Sequence, residues 1–223
     1  MNLRLLLLGF ICISCFNVTL AELPSYTTTK DGVIVFTDPL NNGQLRAVKL
    51  EVVSENIIRV IASPGKDILS WQSLITVYTK KEDLSWNIVS SGGKVTLKTK
   101  ALTATVDLKS GVVSFFDVNG KKILYEKPIV GRSFKPAIFD GKRCYHITQT
   151  FQTTADDAWY GLGQHQDGVY NYRGQQVIFF QNNTEVAIPF LISAKNYGIL
   201  WDNYSLTTAG DTRPLHQLPS LQL

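Results

Sequence analysis

The chain has 223 residues, 44% hydrophobic and 18% charged, with a net charge of +4 and the signs interspersed. Lys80-Lys81 and Lys121-Lys122 are isolated basic pairs. No basic stripe interleaves with aromatics, which argues against a nucleic-acid partner and reads as a solvated surface.

The first residues read as a removable leader. Arg4 precedes the apolar run Leu5 to Phe16, and Thr19 and Ala21 place small residues at −3 and −1 of a cleavage site. This describes a secretory signal too short for a comfortable membrane span, and a secreted or periplasmic protein. A second reading is lipid attachment at Cys15, although Cys12 stands where a branched apolar residue is expected. The mature chain of about 200 residues suffices for one two-layer domain with a sizeable core. Cleavage at Ala21 leaves Cys144 alone, so no internal disulfide forms. Cys144 reads as a small buried hydrophobe, with His146 on the same strand face by alternation.

The mature chain alternates rather than showing a helical period. Strands are expected at residues 32–38, 47–53 and 57–62, and Val48, Leu50 and Val52 share one face. Residues 103–108 and 112–118 flank a hairpin at Lys109-Ser110-Gly111. Asn119-Gly120 matches a type I′ turn leading into residues 123–125. Further strands are expected at 145–153, 177–181, 187–193, 198–202 and 205–208. Tyr145, Ile147, Gln149 and Phe151 then share a face. Well over ten short strands without crossover helices predict an all-β antiparallel sandwich. The boundaries are 1–21 for the signal, 22–213 for the sandwich and 214–223 for the start of a connection.

Chemistry-bearing residues are sparse. Asp156-Asp157 reads as a solvated turn, because glycoside hydrolysis needs two carboxyls roughly 5–10 Å apart across the bond. His146, His165 and His216 are too scattered for a metal site. Gly161 and Gly163 lack the third glycine and following helix of a phosphate loop. No cofactor and no catalytic residue is assigned. The loop Gln181-Asn182-Asn183-Thr184-Glu185 lies between apolar strands, where its amides and hydroxyl suit sugar hydroxyls; an ordinary hairpin loop is the plainer reading. Asn182-Asn183-Thr184 and Asn203-Tyr204-Ser205 match the glycosylation sequon. Trp159, Tyr160, Trp201 and Tyr204 are candidates for stacking on sugar rings, with Trp159 and Trp201 read as core.

Several segments in order carry a resemblance: Tyr160 to Gln164, Asn171 to Gly174, Gln181 to Thr184, Ile188-Pro189-Phe190 and Tyr197 to Asn203. With the hairpin at residues 119–126 they resemble the N-terminal β-sandwich of glycoside hydrolase family 31, the retaining α-glucosidase and α-xylosidase family. The Gln164-His165-Gln166 and Asn171 to Gly174 details most resemble its bacterial α-xylosidase branch. The resemblance implies a galactose-mutarotase-like supersandwich. It also implies a partner absent from this chain, a (β/α)8 barrel carrying an Asp nucleophile and an Asp general acid. The implied substrate is an oligosaccharide of xyloglucan or α-glucan type, with Asn182, Asn183 and Thr184 in a positive subsite. A lectin-like insert after Arg213 is a further implication of the family pattern. The alternatives are a stand-alone carbohydrate-binding module, or an aldose epimerase using His146 or His165 with Glu185.

Overall fold

The computed structural model describes residues 25–37, 45–68, 72–77, 84–129, 131–181 and 183–210. The expected leader, Cys15, Asn182, His216 and the 214–223 connection lie outside the described residues. Within them the chain forms 17 strands and no helix, and every strand pairing is antiparallel. The all-β antiparallel fold expected from alternation is what forms.

The first sheet runs in chain order: β1 (Tyr26–Thr29), β2 (Gly32–Phe36), β3 (Ala47–Ser54) and β4 (Ile57–Ser63). An up-and-down run follows through β5 (Asn87–Ser91), β6 (Lys94–Lys98), β7 (Thr103–Asp107), β8 (Val113–Phe116) and β9 (Lys122–Glu126). Next, β10 (Arg132–Phe139) and β11 (Lys142–Gln149) make a separate two-stranded ribbon. The chain then returns as β12 (Phe151–Gln152) beside β9, completing a six-stranded sheet. The expected strand at 145–153 is thus two strands in two sheets. Thr150 marks the switch, with Lys127 N–H donating to its carbonyl and its own N–H donating to Gly131 O.

Period-2 alternation explains how the two large sheets meet. Val33, Val35, Val48 and Leu50 project from one sheet and Val95, Leu97, Ala104, Val106 and Val113 from the other, all fully buried in one core. Each such valine or leucine contributes about 1.5–3 kcal/mol through burial. Phe134 reaches into the same core from the ribbon and meets Tyr145 edge-on at 6.1 Å. Cys144 is half-buried on the ribbon opposite Ala137, two residues from His146 on the same face.

Two hairpins show how side chains close turns. Asp107 Oδ1 accepts from the N–H groups of Lys109 and Ser110 and from Ser110 Oγ, while Gly111 takes φ 69°. Between β8 and β9 the type I′ expectation is corrected. Only Gly120 has positive φ, at 76°, and Asn119 does not join it. Gly120 N–H donates to Asp117 O, and Asp117 N–H to Lys121 O. This is a three-residue loop, a type I turn followed by a left-handed glycine. Asp117 Oδ1 decides the outcome by accepting from Asn119 N–H and Lys121 N–H, bonds that a two-residue turn lacks.

One ion pair lies inside. Arg132 Nη2 donates to Glu126 Oε1, and the two side chains are 7% and 5% exposed. Val113 N–H donates to Glu126 Oε2 at 3.1 Å, and Arg132 Nε donates to Gln149 Oε1 at 2.8 Å. Burial pushes the Glu126 carboxyl up against the pull of Arg132. Replacing Arg132 by Met strands that carboxylate, for an expected loss of about 3–5 kcal/mol in urea denaturation at neutral pH. The stranded Glu126 then has a still higher pKa in the folded chain than in the unfolded one. The deficit should therefore shrink as pH falls toward the unfolded-state carboxylate value. Pairing Arg132→Met with Glu126→Leu should recover part of the loss.

Candidate functional site

The C-terminal third is built from β13 (Trp159–Gln164), β14 (Gln176–Ile178), β15 (Val186–Ser193), β16 (Tyr197–Leu200) and β17 (Thr208–Gly210). They form a three-stranded sheet, β13-β15-β16, and a β14-β17 ribbon. The strand expected at 205–208 is displaced to β17, because Asn203 Oδ1 accepts from Ser205 N–H and holds residues 203–205 in a turn.

The segment from Gly161 to Gly163 is a backbone device. Gly161, Leu162 and Gly163 have φ of 98°, 65° and 110° in succession. Gly161 pairs with Leu191 and Gly163 with Ala187, so Leu162 alone faces three residues of β15. Pro189, with no N–H to give, sits in that irregular stretch. Leu162 is turned into a second core with Tyr172, Val177 and Leu191, against which Trp159 also lies. The core reading of Trp159 holds. Trp201 is half-buried outside both core clusters. Neither indole Nε1 has a hydrogen-bond partner among the described residues.

Asp156 and Asp157 part company. Asp156 is exposed, and hydrogen bonds from Thr154 and Lys195 hold its carboxyl down to about 2. Asp157 is buried rather than solvated, which corrects half of the turn reading. Ser193 Oγ donates to Asp157 Oδ1 at 2.6 Å and Tyr197 OH to Oδ2 at 3.2 Å. The register explains this, because Ser193 pairs with both Trp159 and Tyr197. Burial, with Asp157 alongside, pushes the Tyr197 hydroxyl up.

The Asn171 to Gly174 turn is likewise structural. Asn171 Oδ1 accepts from the N–H groups of Trp159 and Arg173, and Arg173 Nη1 donates to Thr154 O. Tyr160 meets Tyr170 edge-on at 5.6 Å. Tyr204 OH donates to Asp202 Oδ1 at 3.1 Å and accepts from Leu74 N–H at 2.6 Å.

What remains open to a ligand is the rim before β15. Asn183 (φ 52°) and Thr184 are exposed there, one residue short of Glu185. Gln164 pairs with Val186, which brings His165 to Glu185 at Nδ1–Oε2 3.9 Å. His165 Nε2 lies 3.0 Å from Leu162 O, so it is the protonated nitrogen, and the ring meets Tyr172 edge-on. His165 is 6% exposed, with both nitrogens directed at protein groups. The ring is therefore fixed against Leu162 and Tyr172. His146 stands on β11, opposite Lys135. Beside the rim runs a groove of about 390 Å3 lined by residues 161–164 with Val186, Ile188 and Phe190. Among the described residues no group of three His, Cys, Asp or Glu side chains could hold a metal ion.

Sequence reasoning missed a groove of about 760 Å3, lined by polar and apolar side chains alike, on the outer face of the four-stranded sheet. Arg59 Nη2 lies 2.9 Å from Asp202 Oδ2 there, and Ser73 Oγ donates to Asp202 Oδ1. Lys49 pairs with Asp31 and Glu51. Partners so far apart in the chain leave no local signal.

The family model for the glycosyl hydrolase 31 N-terminal galactose mutarotase-like domain matches residues 47–209. The chain belongs to that family. It is 32% identical over 169 residues to an α-xylosidase of Saccharolobus solfataricus, covering 71% of this chain and 22% of the relative. A solved GH31 α-xylosidase from Xanthomonas citri superposes with a TM-score of 0.78 at 42% identity, covering 87% of this chain and 21% of that one. A GH31 α-xylosidase from a soil metagenome, solved with xylose, is 22% identical with a TM-score of 0.68 over 82% of this chain and 28% of its own. That match speaks to the fold alone. The chain spans about a fifth of the length of the first two relatives.

The glycine pair of β13 can be tested directly. A Cβ on Gly163 would stand 1.9 Å from Val186 O, whereas nothing lies within 4 Å of one on Gly92. Both glycines have positive φ. Gly163→Ala is expected to cost more than about 3 kcal/mol, and Gly92→Ala about 1–2 kcal/mol, in equilibrium urea unfolding.

Proposed function

We propose that this chain is the N-terminal, carbohydrate-associated part of a retaining α-glycosidase of α-xylosidase type, which hydrolyses O-glycosidic bonds. The observation that carries the reading is the match to the Xanthomonas citri α-xylosidase, 42% identical across 87% of this chain. The oligosaccharide is of xyloglucan or α-glucan type. A (β/α)8 barrel domain supplies the acid and the nucleophile. The leader at 1–21 directs export, and Cys15 offers a lipid anchor in its place.

By itself the chain is expected to be without hydrolytic activity. Such chemistry needs two carboxyls flanking the scissile bond. Asp156 is held by Lys195, and Asp157 is buried under Ser193 and Tyr197. The domain's role is to shape the sugar's leaving side through Asn182, Asn183 and Thr184. Asn183 and Thr184 are exposed on the rim, and short amide and hydroxyl side chains suit sugar hydroxyls.

The test needs a full-length version carrying this domain. Asn183→Ala with Thr184→Ala should lower kcat/KM for an extended oligosaccharide by about tenfold, the worth of one or two hydrogen bonds. The value for an aryl α-xyloside, which has no extended leaving group, should hardly change. Equal values for both substrates in variant and parent would remove the subsite role. Hydrolysis of an α-xyloside by the unassisted chain would remove the wider reading.

A further inference from the structure

The β10–β11 ribbon stands apart from both large sheets. Among the described residues its strands pair only with each other. Its root is fixed, because Arg132 is held by Glu126 and Gln149 and Phe134 lies in the sandwich core. Beyond Phe134 five further rungs carry the ribbon outward, from Lys135–His146 to Phe139–Lys142, a length of about 17 Å at strand rise. Every residue from Lys135 to His146 is exposed except the half-buried pair Ala137 and Cys144. Asp140 and Gly141 close the end with φ of 49° and 71°, the two-residue type I′ turn that keeps it narrow.

The end combines two chemistries. Ile138 and Phe139 are 76% and 79% exposed. Arg143 stands opposite Ile138, and Lys142 opposite Phe139. Paired residues share a face and successive ones alternate, so each face of the end shows one large apolar side chain beside one cation. Lys135 adds a third cation behind them, and Asp140 is the sole carboxylate from Lys135 to His146. Among the described residues no ion pair engages Lys135, Lys142 or Arg143. Two rungs behind Ile138, Pro136 faces Tyr145, which meets Phe134 edge-on and ties the exposed end to the core.

The arrangement suits one kind of partner. Apolar side chains that enter a bilayer from its surface reach about 5–10 Å into the boundary between headgroups and acyl chains, while Lys and Arg meet anionic headgroups. Ile138 and Phe139 lie about 7–10 Å beyond Pro136 and Tyr145 along the ribbon, and tyrosine favours that interface. An acidic protein or polymer would pair with the cations and leave both apolar side chains in water. A second copy adding a strand would meet Lys135, Lys142 and Pro136, which has no N–H, on the ribbon's open edges. The leader proposed at residues 1–21 takes the chain to a membrane, so a bilayer is an available partner.

We propose that the end of the β10–β11 ribbon is a docking point for an anionic lipid surface, with Ile138 and Phe139 entering the headgroup boundary and Lys135, Lys142 and Arg143 contacting anionic headgroups. The inference goes beyond the reading under Proposed function. Its test reads lipid binding and not hydrolysis, so the two fail separately.

The experiment is co-sedimentation of residues 22–223 with lipid vesicles. Residues 1–21 are left off because Leu5 to Phe16 would bind lipid by themselves, and all 17 strands lie after them. The chain should sediment with vesicles of equal parts phosphatidylglycerol and phosphatidylcholine, and far less with phosphatidylcholine alone. Lys142→Gln with Arg143→Gln should weaken binding about 30-fold. Ile138→Ser with Phe139→Ser should weaken it by more than about tenfold. All four side chains are exposed, so both variants should melt where the parent does. A variant that melts lower is set aside and the other decides. Both melting lower would show the end packed within the fold, which removes the exposed end on which the proposal stands. Absence of binding to the anionic vesicles overturns the proposal. So does binding that a variant melting like the parent leaves unchanged; if that variant is the serine pair, the ribbon serves acidic partners in general. A dimer in light scattering that the serine pair converts to monomer gives the end to a second copy, and the proposal falls.

Discussion

Backbone meets backbone between β13 and β15 with almost nothing in between. At Gly161 and Gly163 the β13 chain lies against Phe190 O and Val186 O at distances no Cβ tolerates. Three consecutive positive φ angles are the conformational consequence, and the middle one belongs to a leucine. Such a conformation costs of order 1–3 kcal/mol. Burial of the same leucine, at 2% exposure, offsets it by a similar amount. The two-residue register shift follows, and from it come the groove, the place of Pro189 and the meeting of His165 with Glu185.

Polar groups anchor this arrangement from within. Asp157 ties the approach to β13 to Ser193 on β15 and Tyr197 on β16. Glu126 and Arg132 do the same between the six-stranded sheet and the ribbon. Both anchors bury a carboxylate that costs energy unless its partners are in place. Their contribution is geometric definition more than net stability. A carboxylate committed to two fixed hydroxyl donors, as Asp157 is, has little freedom left for proton transfer.

Alternation made the large sandwich legible from sequence, because Val48, Leu50 and Val52 could only share one face. Where the sequence misled, a particular hydrogen bond outvoted the backbone's local preference. Asp117 converted a two-residue turn at Asn119-Gly120 into a three-residue loop, and Thr150 broke one expected strand into two. The Asp156-Asp157 pair looked uniform in sequence. Its two members differ because the turn from Thr154 to Asp157 sends one to solvent and the other beneath Ser193. Glycines at 161 and 163 were visible, but not their purpose, which depends on a strand 25 residues later. The rim residues Asn183 and Thr184 were legible as exposed loop chemistry. The Arg59–Asp202 contact was not, since 143 residues separate its partners.

The rim runs directly into β15, and that continuity has a mechanical meaning. Asn183 and Thr184 stand within three residues of Val186, the first residue of the strand. Loop residues that touch a ligand must be held to a fraction of an ångström to be selective. An exposed turn in which His165 and Glu185 only approach to 3.9 Å lacks that rigidity on its own. A ligand held by such a loop must take up the loop's freedom as it binds, which costs affinity.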